Sequence, residues 1–175
     1  MPRIVKNIPM MDLMAFLIES VDSPTHVGML QVFDPVQGSS AEVVQRILHE
    51  YRSCEVGPPF TYYPVFPRFG MPKWAEAESF EVDYHIRHTA VPLPGTDRQL
   101  IDVVMDLHAS ILDRSRPGWI AYVIEGLENN CFAVYWKVHH AYIDGASAVM
   151  RLEAAMSKSP DDTTIRPMWS RLFEP

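Results

Sequence analysis

Residues 131–145 read CFAVYWKVHHAYIDG. From Cys131 to Val138 the run is dominated by β-branched, aromatic and small apolar residues, so it reads as a strand. From Asp144 onward the period changes. Ala148, Val149, Leu152, Ala155 and Met156 recur at the spacing of one helix face. A strand that ends near His139 and a helix that starts near Asp144 leave a short turn between them, and side chains there are exposed yet held by rigid elements on both sides. Because successive strand side chains point to opposite faces, His139 and His140 address different surroundings: one is available for chemistry and the other is packed.

Working upstream, Trp119–Glu125 is a second β-rich run. Gly126 to Asn130 has the length and composition of a hairpin connection, so the two runs pair antiparallel. Residues 26–33 (HVGMLQVF) form another strand, closed by Asp34-Pro35. Residues 10–19 carry Met10, Leu13, Met14, Leu17 and Ile18 at helical spacing, which implies a short amphipathic helix packed through that stripe, with lipid or substrate contact as the alternative. Ser40 and Thr96 are placed to cap two further helices, the second burying Leu100, Ile101, Val103, Val104, Leu107 and Ile111. Residues 55–72 hold too many prolines for a helix or central strand and read as a loop with aromatic anchors. Phe80 to Val91 returns to strand character. Strands and helices interleaved without regular βαβ spacing give an α/β fold, a mixed sheet flanked by helices. Periodicity stops after Ser157, so residues 1–157 read as the folded unit and 158–175 as a linker or tail.

A chain of 175 residues with 47% hydrophobic and 21% charged residues fits one globular domain. Fifteen Lys and Arg against 22 Asp and Glu, a net charge of −7, give no electrostatic drive toward nucleic acid. Two cysteines, Cys54 and Cys131, support neither a disulfide framework nor a cysteine zinc cage. No apolar run approaches the roughly 20 residues of a membrane span, and no secretory leader is present, so a soluble, cytoplasmic protein is expected.

The chemistry points to residues 139–145. Imidazole, with an ordinary pKa of about 6.5, suits a general base that activates a hydroxyl or amine. Asp144 can accept backbone N–H groups at the start of the following helix or pair with an arginine. Gly145 allows backbone and ligand to approach closely. The phrase LDRSRPGW at 112–119 sets Arg114 and Arg116 just before a strand, where either can hold Asp144. A metal on His140, Asp144 and His139 is a weaker alternative, because no HExxH or CxxC appears; no metal is expected.

Four phrases occur here in the order found in one family: THVGMLQVFDP (25–35), HIR and PLPG within 85–95, LDRSRPGW (112–119) and HHAYIDG (139–145). On these motifs the chain resembles the N-terminal part of the bacterial wax ester synthase/diacylglycerol acyltransferases, which share an HxxxDG core with chloramphenicol acetyltransferase, carnitine acyltransferases and peptide-synthetase condensation domains. The resemblance implies one lobe of a two-lobed, chloramphenicol-acetyltransferase-like enzyme with its active site between the lobes. His140 would take the proton of a fatty alcohol or diacylglycerol hydroxyl as it attacks an acyl-CoA thioester, giving wax ester or triacylglycerol plus CoA with no covalent acyl-enzyme. It further implies a supporting role for His139, a salt bridge from Asp144 to an arginine, and acyl-CoA as co-substrate with no bound cofactor. The implied partners are a C-terminal lobe and a peripheral contact with membrane or lipid droplets. Residues 117–119 depart from the pattern, reading Pro-Gly-Trp where the family has leucine before the tryptophan, which is expected to loosen packing there. A non-catalytic lipid-binding or interaction domain, or a condensation-type amide-forming relative, are the competing readings.

Overall fold

The computed structural model describes residues 3–35, 38–159 and 161–173. In chain order the elements are β1 (Arg3–Asn7), α1 (Met10–Ile18), β2 (His26–Phe33), α2 (Ser40–Ser53), β3 (Tyr62–Val65), β4 (Lys73–Glu76), α3 (Val82–His85), β5 (Ile86–Ala90), α4 (Asp97–Ala109), β6 (Trp119–Glu125), β7 (Phe132–His139) and α5 (Gly145–Ala155). The main sheet is ordered β2-β7-β6-β5. Strand β7 pairs antiparallel with β2, from His26 opposite His139 to Phe33 opposite Phe132, and antiparallel with β6, whereas β5 joins β6 in parallel. The sheet is therefore mixed, as its patterning implied.

All eight residues of β7 are buried. Val134, Trp136 and Val138 pack in one layer with Val44, Ile47 and Leu48 of α2, while Ala133 and Tyr135 pack in the other with Leu100 and Val104 of α4. This two-sided cover follows from strand alternation in a run that is apolar at nearly every position. The helices start where their capping chemistry places them. Thr96 and Gln99 form a reciprocal capping box on α4. On α2 the box is Ser39 with Glu42, each accepting the other's backbone N–H at 3.3 Å, one residue before the expected Ser40.

Four regions differ from their sequence patterns. Residues 55–72, read as a loop, contain β3, which tolerates Pro64 because β3 is an edge strand of a second, three-stranded sheet ordered β1-β4-β3. Within residues 80–91 a single helical turn, α3, precedes β5. In α1 the apolar stripe is buried only at Leu13: Leu13, Ala15 and Phe16 point inward, and Met10, Met14, Leu17 and Ile18 are exposed together with Met11. Phe16 takes the inward position because its ring lies against Phe66, Trp74 and His139.

The fourth difference concerns the stretch after residue 157. Its backbone is irregular, as expected, but Met168, Trp169 and Ser170 are buried. The Trp169 ring stacks on Trp119 at 4.7 Å and meets the edge of Tyr51 at 4.9 Å. Its carbonyl accepts the Gly57 N–H at 2.9 Å. Aromatic burial, which periodicity does not register, makes this segment part of the packed body. Replacing Trp169 by Ala is therefore expected to lower unfolding free energy by about 3–5 kcal/mol, measured by urea titration; a loss below about 0.5 kcal/mol, the scale of an exposed site, would mean that the segment is a linker after all.

Candidate active site

The last residue of β7, His139, is 1% exposed. Its ring stacks on Phe16 at 4.1 Å. The Ala141 N–H donates to Nδ1 at 3.1 Å, so the ring proton resides on Nε2. That Nε2–H faces Thr25 Oγ1 at 3.1 Å and Glu19 Oε1 at 3.5 Å. The Thr25 hydroxyl gives its own proton to the Ala15 carbonyl at 3.0 Å and is thereby left to accept from the imidazole. Burial pushes the His139 pKa down, with Glu19 opposing and Arg114 assisting. His139 is a neutral, packed ring.

The carboxylate of Glu19, also 1% exposed, is what this corner is built around. Arg114 holds its Oε2 with Nε at 3.1 Å and Nη2 at 3.0 Å, and the same Nη2 donates to the Phe16 carbonyl at 2.7 Å. With its countercharge supplied by a guanidinium, Glu19 needs no second cation, which agrees with a neutral His139. This corrects the expectation for the arginines: neither holds Asp144 within this chain. Arg114 is committed to Glu19, and Arg116 pairs with Glu81 at 2.6 Å.

His140 stands on the other side. Its backbone N–H donates to the Thr25 carbonyl at 3.0 Å, which pins the turn to the segment entering β2, and its side chain is exposed. Asp12 on α1 and Asp144 are its carboxylate neighbours. The turn is closed by the Tyr142 N–H on the His139 carbonyl at 3.0 Å. The Tyr142 hydroxyl in turn donates to the Tyr62 carbonyl at 2.9 Å. Asp144 is the N-cap of α5, its Oδ1 accepting the Ser147 N–H at 2.7 Å; the Ser147 N–H and hydroxyl hold its carboxyl below the usual carboxylate range. At Gly145 a Cβ would meet nothing within 4 Å. At Gly118, by contrast, it would lie 2.7 Å from the Tyr142 ring, so the packing expected to loosen at Pro-Gly-Trp instead closes around the glycine.

The structure thus gathers His139, His140, Asp144 and Gly145 at one turn, brings Arg114 to His139 through Glu19, and leaves Arg116 apart. Sequence patterning gives no role to Glu19, which falls off the apolar stripe of residues 10–19, or to Thr25 within the THVG phrase. Lys137 does carry a signal, a lysine inside an apolar strand, but no motif surrounds it. Its buried ammonium donates to the carbonyls of Leu107 at 2.7 Å and Ser110 at 2.6 Å, clasping the C-terminal end of α4, and burial lowers its pKa to about 8. Among the described residues no group of three or more His, Cys, Asp or Glu side chains comes together in a way that could hold a metal ion, and no helix is long and apolar enough to cross a membrane.

Buried histidines, with pKa values pushed down by burial at His26, His85 and His139, give the fold a definite pH dependence. His139 is shifted down by burial, and so is His85, to about 4, its Nδ1–H donating to the Trp119 carbonyl at 2.7 Å. The unfolded chain binds these protons below about pH 6.5, where the folded chain does not, so their stabilisation is complete above that pH and lost as pH falls toward 4. Each contributes a slope of up to about 1.4 kcal/mol per pH unit in that window. Urea titrations from pH 7 to 4.5 should show stability falling, and His139→Gln should flatten the fall; an unchanged slope in the variant would mean a charged His139 in the fold.

The catalytic-domain model of the wax ester synthase/diacylglycerol acyltransferases matches residues 9–175. A probable diacylglycerol O-acyltransferase of Mycobacterium tuberculosis is 40% identical over 162 residues, covering 91% of this chain and 36% of that protein. A second from the same organism is 34% identical over 158 residues, covering 90% and 33%. The wax ester synthase/diacylglycerol acyltransferase of Marinobacter aquaeolei superposes with a TM-score of 0.87 at 33% identity, over 95% of this chain and 40% of that one. The first condensation domain of the CDA synthetase shares the fold, with a TM-score of 0.61 at 16% identity over 86% of this chain and 37% of that one. The chain therefore spans little more than a third of the length of these relatives, and it belongs to the wax ester synthase/diacylglycerol acyltransferase catalytic-domain family.

Proposed function

We propose that this chain is the N-terminal lobe of an acyl-CoA-dependent O-acyltransferase acting on a fatty alcohol or diacylglycerol, with His140 as general base. The observation that carries the reading is the asymmetry of the histidine pair: His139 is sealed, neutral and fully hydrogen-bonded, while His140 is exposed on a turn braced by β2, β7 and α5. The acceptor O–H gives its proton to the His140 imidazole as the oxygen attacks the thioester carbonyl. The tetrahedral oxyanion then collapses to the ester, and the departing CoA thiolate recovers the proton from the imidazolium. No covalent acyl-enzyme enters the scheme. Asp144 serves by starting α5 where it does, and Gly145 supplies bare backbone beside the base. Open space around the missing Cβ at Gly145 supports a demand for that space from substrate or further polypeptide.

Acyl-CoA is a co-substrate in this scheme, and the partner is a second lobe that closes the site. The exposed apolar face of α1, with Met11 and Leu17, and the exposed Val149 and Met150 of α5 support such a contact, because an isolated domain gains nothing by presenting them to water. Work at a membrane or lipid-droplet surface follows from the water-insoluble acceptors and belongs to the same proposal.

The test uses the chain assembled with the remaining part of the enzyme, assayed by CoA release from palmitoyl-CoA with hexadecanol or dioleoylglycerol. Replacing His140 by Ala should lower turnover by about 10²–10⁴-fold with the unfolding midpoint unchanged. Gly145→Ala should leave folding intact, or stabilise it by about 0.5–1 kcal/mol, while raising KM for acyl-CoA or the acceptor. Undiminished turnover in the His140 variant would remove the base assignment.

A further inference from the structure

Tyr142 joins the histidine turn to the second sheet. Its side chain is buried, its own N–H closes the turn on the His139 carbonyl at 3.0 Å, and its hydroxyl reaches across to donate to the Tyr62 carbonyl of β3 at 2.9 Å. Strand β3 is a sheet edge, and the outward carbonyls of an edge strand take their donors from outside the ladder. The ring meets Trp74 of β4 edge-on at 4.7 Å and His139 at 6.4 Å. Gly118 sets its other side. A Cβ there would lie 2.7 Å from Tyr142 Cε2, 3.2 Å from its Cζ and 3.2 Å from His139 Cβ, while the Gly118 carbonyl accepts the His139 N–H at 2.8 Å. A carbon at 2.7 Å cannot be kept, so any larger residue at 118 displaces the ring or the turn. Glycine stands here where the family pattern has leucine, and the tyrosine ring takes the space.

We infer that Tyr142 is a positioning residue for His140, bracing the turn against the second sheet, and that Gly118 is the space its ring requires. The inference rests on the acyl-transfer reading, in which His140 is the base, and adds to it the group that aims that base. The His140 side chain is exposed, so its direction depends on the backbone that carries it. On one side that backbone is held by the His140 N–H on the Thr25 carbonyl at 3.0 Å. Two residues on, the Tyr142 hydroxyl and ring hold the other side. Both attachments are needed, because a general base must come within about 2.6–3.2 Å of the proton it takes, and a misplacement of about 1 Å costs about 10²-fold in rate. Burial pushes the Tyr142 pKa up, so the hydroxyl keeps its proton and remains a donor. Tyr142 acts through the turn and does not touch the reacting atoms.

The experiment measures kcat and KM of the chain assembled with the remaining part of the enzyme, using palmitoyl-CoA and hexadecanol, and amide hydrogen exchange of the 175-residue chain. Tyr142→Phe keeps the ring and removes the bond to Tyr62. Its kcat is expected to fall by about tenfold with KM within about twofold, and exchange at the N–H groups of positions 140 and 142 to quicken by about tenfold. Gly118→Ala should lower kcat to a similar extent, whereas in a Tyr142→Leu background, where the ring is gone, the added methyl should cost less than about twofold. This pair of backgrounds also decides the matter should Tyr142→Phe fail to fold, with far-UV circular dichroism as the check. A loss of stability alone, with kcat of the folded enzyme and exchange in the turn both within about twofold of the parent, would overturn the inference. A Gly118→Ala loss of equal size in both backgrounds would do the same. His140→Ala, run alongside, keeps the two claims apart: undiminished turnover there removes the base assignment, while the exchange rates still decide whether Tyr142 holds the turn.

Discussion

The pleat of a single strand divides this site. Strand β7 carries its side chains alternately to two covered layers, and at its end the alternation sends one imidazole into the corner formed by Glu19, Thr25 and Phe16 and leaves the next one outside. A one-residue slip of β7 against β2 would exchange the two rings and turn Trp136 out of its layer. The register from His26 opposite His139 to Phe33 opposite Phe132 guards against that slip, because each pairing is repeated by burial on both faces.

The same corner ties together parts of the chain that are far apart in sequence. A carboxylate as buried as Glu19 requires a cation, and Arg114 provides one while also satisfying the Phe16 carbonyl, one of the orphan acceptors at the end of α1. Arg114 thereby fixes α1 to the loop before β6, and His139 fixes α1 to the end of β7. The position of α1 follows from these polar bonds and from Phe16, which is why its more conspicuous methionine stripe is free to face outward. Asp12, on the first turn of that helix, is carried to the neighbourhood of His140 by the same attachment.

Behind the sheet, Lys137 performs a comparable service for α4. Its ammonium takes the carbonyls of Leu107 and Ser110, which a helix end would otherwise leave to water, and fastens the helix to the strand that bears the histidines. Tyr135 fills the space left by the absent side chain of Gly28, where a Cβ would lie 2.5 Å from its hydroxyl. The histidine turn therefore rests on a strand whose α4 face is held by a polar clasp and by aromatic packing together.

Local patterning was enough to locate the sheet strands β2, β6 and β7, the helices from α1 to α5 apart from α3, and the histidine turn, because periodicity, capping residues and turn chemistry act over a few neighbouring residues. The paired histidines on opposite faces were also legible, since alternation is a local rule. The partner of each charge was not. Arg114 stands 95 residues from Glu19, and nothing near either marks the pairing. Asp144 needed no arginine in this chain because the Ser147 N–H lay within reach of its carboxylate. The burial of Trp169 and the exposure of most of the α1 stripe likewise depend on which surfaces meet, a competition among distant segments for the same apolar faces that only the folded chain resolves.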